Sequence, residues 1–207
     1  MNLFLFLSLA TRGLLLAAFS LAALGGCERR TAAPSKAAQK GRPTQVGENV
    51  MSITLSSSAF KHNEPIPRKY TGEGADVSPP LSWSGLPAGT KELALIMDDP
   101  DAPRPEPWVH WVIYKLPPTL SGLPEGLPKT PTLSDPPGTM QGRNTWPKIG
   151  YNGPMPPPGH GVHHYHFRLY ALDTALDVQP GLTKDELLAK MKGHILAQGE
   201  LVGTYQR

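Results

Sequence analysis

Three patterns of apolar and polar positions follow one another along the chain: an apolar run near the N-terminus, a polar stretch without periodicity, and, from Ser52 onward, short alternating segments. The alternating segments predict strands at SITLSS (from Ser52), KYTGEG (from Lys69), LSWSGLP (from Leu81), KELALIM (from Lys91), WVHWVIYKL (from Trp108), HHYHFRLYALD (from His163) and the terminal ELVGTY. No helices alternate with them, so an antiparallel arrangement is expected. One helix is signalled late. Thr183 and Glu186 make a capping box, Leu187, Leu188, Met191, Ile195 and Leu196 form an apolar stripe for docking on a sheet, and Gly199 is expected to end the segment. Sixteen of the 24 prolines lie between residues 100 and 158, which calls for long irregular connections across the sheet ends.

Strand periodicity also orients the side chains that carry chemistry. In the last long strand His163, Tyr165, Phe167 and Leu169 share one face, and His164, His166, Arg168 and Tyr170 share the other. The first face is apolar with a polar tip, and it follows the Pro/Gly loop GYNGPMPPPGHGV, so the tip reads as the rim of a pocket walled by that loop. Leu93, Leu95 and Met97 lead along a buried strand to Asp99, where Pro100 stops it. In the strand after the DPDAPRPEP loop, Trp108, His110, Val112 and Tyr114 are expected on one face, with Val109, Trp111 and Ile113 on the other.

The motifs SPPLSW, DPDAP, Trp-x-His, GPMPPPG-x-G-x-H-x-Y and ELVGTY, in this order from Ser78 to Tyr205, resemble those of the phosphatidylethanolamine-binding protein family. Within it the chain is most similar to the bacterial branch often labelled Raf kinase inhibitor-like, over roughly Ser52 to Arg207. The resemblance implies a Greek-key β-sandwich with the late helix packed on it. It also implies a small metal-free pocket for anions such as phosphate, acetate or a phospholipid head group, with Asp99, His110, His163 and Tyr165 as its ligand-binding set. Asp101, Trp108, Pro154, Pro156 and Pro157 are expected to support it, and Met155 is a departure from some relatives at the pocket mouth.

The termini add a location. The run Leu14 to Leu24 has signal-peptide length, and Leu-Gly-Gly before Cys27 resembles a lipobox, so residues 1–26 are expected to be removed and Cys27 lipidated. Residues 27–50 read as a flexible basic tether and 51–207 as the folded domain. Arg29, Arg30, Lys36, Lys40 and Arg42 lie in that tether, so the net charge of +3 over the whole chain does not reflect a basic domain, and nucleic-acid binding is not expected. Cys27 is the only cysteine, which excludes an intramolecular disulfide. A lipid anchor places the protein in the cell envelope with the membrane as a partner. Glu28 after the cysteine favours the outer membrane, facing the periplasm, in a Gram-negative host.

Three chemical readings compete for the Asp/His/His/Tyr set. In the binding reading, imidazole N–H groups and the tyrosine hydroxyl donate to an anion while Asp99 holds a histidine tautomer, and no cofactor is required. In the metal reading, His110, His163 and Asp99, or the pair His164 and His166, would ligate an ion, but no compact motif such as H-E-x-x-H occurs. A hydrolase would need an activated nucleophile, and there is no G-x-S-x-G elbow. The expected function is a membrane-tethered, non-enzymatic binding protein. The alternative is a protein-interaction or inhibitor module whose pocket docks a phosphorylated or acidic partner group.

Overall fold

The computed structural model describes residues 51–207, so the expected signal segment, Cys27 and the tether lie outside the described residues. The described chain is mainly β, with ten strands and one α-helix. In order they are β1 (Met51–Ser52), β2 (Thr54–Ser56), β3 (Glu64–Pro65), β4 (Leu81–Ser84), β5 (Glu92–Asp99), β6 (Trp108–Leu116), β7 (Gly122–Leu123), β8 (Met140–Gln141), β9 (His163–Leu172), α1 (Lys184–Met191) and β10 (Ile195–Tyr205). The main sheet runs β1-β10-β9-β5-β6-β8, with β3 also on β10, and a smaller sheet runs β2-β4-β7. The spatial order β9-β5-β6-β8 is antiparallel throughout and is a Greek key, because β9 returns beside β5 by the long Pro-rich connection. The long strands pair antiparallel as expected, and the two-residue strands β1 and β3 add parallel pairs to β10.

β5 lies inside the main sheet and is buried along its whole length, which is why its sequence is a nearly unbroken apolar run. Leu93, Leu95 and Met97 face the smaller sheet, packing with Leu55, Leu81, Trp83 and Leu123. Ala94 and Ile96 face the opposite way, into a second cluster with Leu176, Val178, Leu187 and Met191. That second cluster is closed by α1, whose N-terminus carries the expected capping box between Thr183 and Glu186.

Three local expectations are overturned. KYTGEG is not a strand: Arg68–Tyr70 form a 3-10 turn, and Thr71 bonds the Arg68 carbonyl through both its N–H and its hydroxyl, which satisfies the backbone locally. α1 stops at Met191 because Gly193 adopts φ +81°, so Ile195 and Leu196 belong to β10 and Gly199 lies within that strand. Gly199 is needed there for a different reason, since a Cβ would sit 2.3 Å from the carbonyl oxygen of Ile53, the residue that links β1 to β2. The third correction concerns β6. Its register against β5 shifts between the pairs Met97–Trp111 and Asp98–Val109, which makes His110 an extra residue in the ladder. Beyond this bulge Trp111 and Ile113 face the inter-sheet core, while Val112 and Tyr114 join the second cluster with Val109 packed against it, so His110 does not share a face with Val112 and Tyr114.

One core polar group sets a pH response. Glu92 is buried, with one oxygen accepting from the Leu176 N–H and the other without a partner. Burial pushes its carboxyl up, and the Leu176 N–H and Lys115 only partly oppose this. A group raised in the folded state stabilises most below its unfolded value of about 4.3, and that contribution is lost as pH rises through the folded value. The difference in stability between wild type and Glu92→Gln, followed by denaturant melts from pH 4 to 8, should therefore move in favour of the variant as pH rises. A difference independent of pH would show that Glu92 does not titrate in this range.

Candidate functional site

The bulge that displaces His110 from the ladder turns its ring toward the end of β9, where it meets Tyr165 edge to face with centroids 5.1 Å apart. His110 Nδ1–H donates to the Asn152 carbonyl at 2.7 Å. That bond leaves Nε2 as the acceptor of a neutral ring, and burial holds the ring below the usual histidine range. The carbonyl is held in place by Asp76, whose carboxylate accepts from the Gly153 N–H at 2.6 Å and the Asn152 side chain at 3.0 Å. Gly153 cannot be replaced without moving this loop, because a Cβ would lie 2.1 Å from the Tyr70 carbonyl oxygen.

Asp99 closes β5 and is also buried. One of its oxygens accepts from the Asp101 N–H at 2.8 Å, which fixes the turn after the strand, and the other accepts from His163 Nδ1 at 2.7 Å. The second nitrogen of His163 meets His160 Nδ1 at 2.8 Å. Tyr165 lies beside both histidines, and burial, reinforced by the nearby Asp99 charge, raises its hydroxyl far above the ordinary tyrosine value, so it remains a protonated donor.

These side chains line one cavity of about 270 Å³, together with Ala102, Pro103, Trp108, Trp146, Met155, Pro156 and Pro157. The structure thus brings together Asp99, His110, His163 and Tyr165, with Trp108, Pro156 and Pro157 at the wall. Asp101 and Pro154 are not on that wall. Pro154 holds the loop by accepting from the Gly72 N–H. Asp101 accepts from both the N–H and the ring of exposed His164; partial burial opposes these bonds, but they prevail and its carboxyl stays below the usual range. His166 is likewise on the outer face, bonded to Glu200.

Two participants escaped the sequence reading. Trp146 packs edge-on against both Trp108 and His110; its only signal was a lone aromatic in the proline-rich connection. His160 occupied an unspecified place in the GPMPPPG-x-G-x-H-x-Y motif.

Against known families, residues 56–206 match the model of the phosphatidylethanolamine-binding protein family. The chain belongs to this family. Relatives include a UPF0098 protein of Pyrococcus horikoshii, 51% identical over 78% of this chain and 80% of its own length. A UPF0098 protein of Methanothermobacter thermautotrophicus is 49% identical over 75% of this chain and 99% of its own length. Among solved structures, a phosphatidylethanolamine-binding protein homologue of Chlamydia trachomatis shares 43% identity with a TM-score of 0.68, and E. coli YbcL shares 31% with a TM-score of 0.70. Each of these two covers 75% of this chain and is itself covered over 98%. Family membership makes this a binding protein, and the mainly β fold is shared with these neighbours.

Proposed function

We propose that the cavity binds a small oxyanion, free or as the phosphate of a lipid head group, with Tyr165, Trp108, His110 and His163 around it, and that a lipid on Cys27 tethers it in the cell envelope. The observation that carries the first part is a pair of buried donors with nothing to donate to: the Tyr165 hydroxyl and the Trp108 indole N–H have no partner among the described residues, and both residues line the same cavity. Buried donors left unpaired each cost about 1–3 kcal/mol, which a ligand carrying several acceptor oxygens would recover. The apolar collar of Ala102, Pro103, Met155, Pro156 and Pro157 keeps water from competing and strengthens each such bond. The lining holds no serine, threonine, cysteine or lysine, and its polar groups are the Asp99 carboxylate, two imidazoles, the Tyr165 hydroxyl and the indole N–H groups.

Tyr165→Phe tests the reading with little structural disturbance. Calorimetric titration with inorganic phosphate should show affinity lower by about 1.5–3 kcal/mol, the range for a hydrogen bond to a charged acceptor. The melting temperature should not fall, because the variant deletes an unsatisfied buried hydroxyl. Absence of any heat from wild type with phosphate, acetate and glycerophosphoethanolamine would sink the oxyanion reading.

The tether rests on the Leu-Gly-Gly-Cys sequence and the basic segment behind it. Replacing Cys27 with Ser should move the protein from the membrane to the soluble fraction, since a single amphipathic attraction to anionic lipid is weaker than acyl-chain insertion. A Cys27→Ser protein that still sediments with membranes would refute lipid anchoring.

A further inference from the structure

His163 can offer an anion only one of its two ring nitrogens, because Nδ1 is committed to Asp99 at 2.7 Å in a buried pair. The remaining nitrogen, Nε2, is held at 2.8 Å by Nδ1 of His160. A ring whose Nδ1–H serves the carboxylate can serve an anion only through a hydrogen on Nε2, and it is that Nε2–H that His160 Nδ1 accepts. The donors around the cavity are therefore in different conditions. Tyr165 and Trp108 stand open, whereas His163 is closed by a neighbour.

That neighbour is placed as a movable part. His160 is exposed, and it does not belong to the cavity lining. It sits between Gly159 at φ +74° and Gly161 at φ +95°, and a Cβ at either glycine would meet nothing within 4 Å. Packing does not call for glycine at these two positions; the left-handed backbone of the turn does. Two backbone bonds hold the turn, from the Gly159 N–H to the Arg207 carbonyl at 2.9 Å and from the His160 N–H to the Pro157 carbonyl at 3.2 Å. Two glycines around one exposed ring let that ring leave by backbone rotation, without disturbing β9.

We propose that His160 is a gate on the pocket, which must release Nε2 of His163 before an oxyanion can take its full set of donors. This rests on the oxyanion reading above and adds how access to that site is controlled. His160 is then a selectivity device. A ligand that binds only through Tyr165 and Trp108 leaves the gate shut, and one that competes for His163 must displace a hydrogen bond first.

Two measurements on the full chain in detergent micelles test the gate, with inorganic phosphate as the probe. In uniformly ¹⁵N-labelled protein, a through-hydrogen-bond coupling between His160 Nδ1 and His163 Nε2 is expected without phosphate and should vanish at saturation. In calorimetric titration His160→Ala should bind phosphate more tightly than wild type, by at least about fivefold, since a competing acceptor for the His163 Nε2–H, worth about 1 kcal/mol, has been removed. Unchanged or weaker binding by His160→Ala, or a coupling that persists at saturation, would overturn the gate. Phosphate binding by the variant alone would show a gate that stays shut in wild type. If neither protein binds phosphate, the pocket reading itself fails, a result distinct from a binding pocket whose affinity ignores His160.

Discussion

His163→Ala is expected to bind phosphate at least about tenfold more weakly than wild type and to lose about 3 kcal/mol of stability. The two losses have separate causes. Binding falls because the ring that lines the cavity between Asp99 and Tyr165 is gone. Stability falls because the Asp99 side chain, 3% exposed, retains its bond from the Asp101 N–H but loses the imidazole that satisfies its other oxygen. Adding Asp99→Asn to the variant should restore much of the stability and none of the binding, since a neutral amide tolerates the buried site better than an unpaired charge. His164→Ala, next in sequence but exposed and bonded to Asp101 on the outer face, should leave affinity nearly unchanged. Equal losses at His163 and His164 would contradict the assignment of β9 faces on which the site depends.

Trp111→Ala should be the most damaging single core truncation near the site, at about 3–5 kcal/mol, seen as a fall in the urea midpoint. Trp111 is fully buried and packs edge-on to Tyr151. Its indole N–H donates to Gln141 Oε1 at 2.8 Å, and the amide of the same glutamine donates to the carbonyls of Pro128 and Thr130. The indole therefore links the central strands to the proline-rich connection through one side chain. Trp111→Phe separates the two roles: it keeps most of the packing and drops the hydrogen bond, so an intermediate cost is expected. A cost below about 1 kcal/mol for the alanine variant would show that the neighbouring core relaxes to fill the space.

Strands buried on both faces or alternating cleanly were legible in the sequence, as β5 and β9 demonstrate. Their side chains carry a periodicity that survives any tertiary context. What escaped depends on single backbone events. The bulge at His110 reverses the expected pairing of faces in β6, yet Trp-Val-His-Trp-Val alternates smoothly and contains no glycine to announce it. Ile195 and Leu196 continue a helical period past Met191, and only the turn at Gly193 shows that the chain has already left the helix. Motif resemblance points to the four ligand-binding candidates, and strand parity supports His163 and Tyr165. His160 and Trp146 sit in segments without periodicity, where position in space is set by distant contacts and the local sequence is silent about it.

The crossing at Ile53 has a mechanical consequence. β1 lies along β10 in the main sheet, and one residue later β2 lies along β4 in the smaller sheet. A pull on the N-terminal end of the described domain is therefore shared between both sheets from the first residues onward. β1 runs parallel to β10, so a load between the N-terminal end of β1 and the C-terminal end of β10 acts along the strands and strains their hydrogen bonds together, whereas a load across the strands would break them in turn. An anchor attached upstream would draw on the strong direction of this sheet. The C-terminal end of that line lies beside the pocket, because Tyr205 pairs with His163 and the Arg207 carbonyl accepts from the Gly159 N–H, so a load along it would reach the cavity.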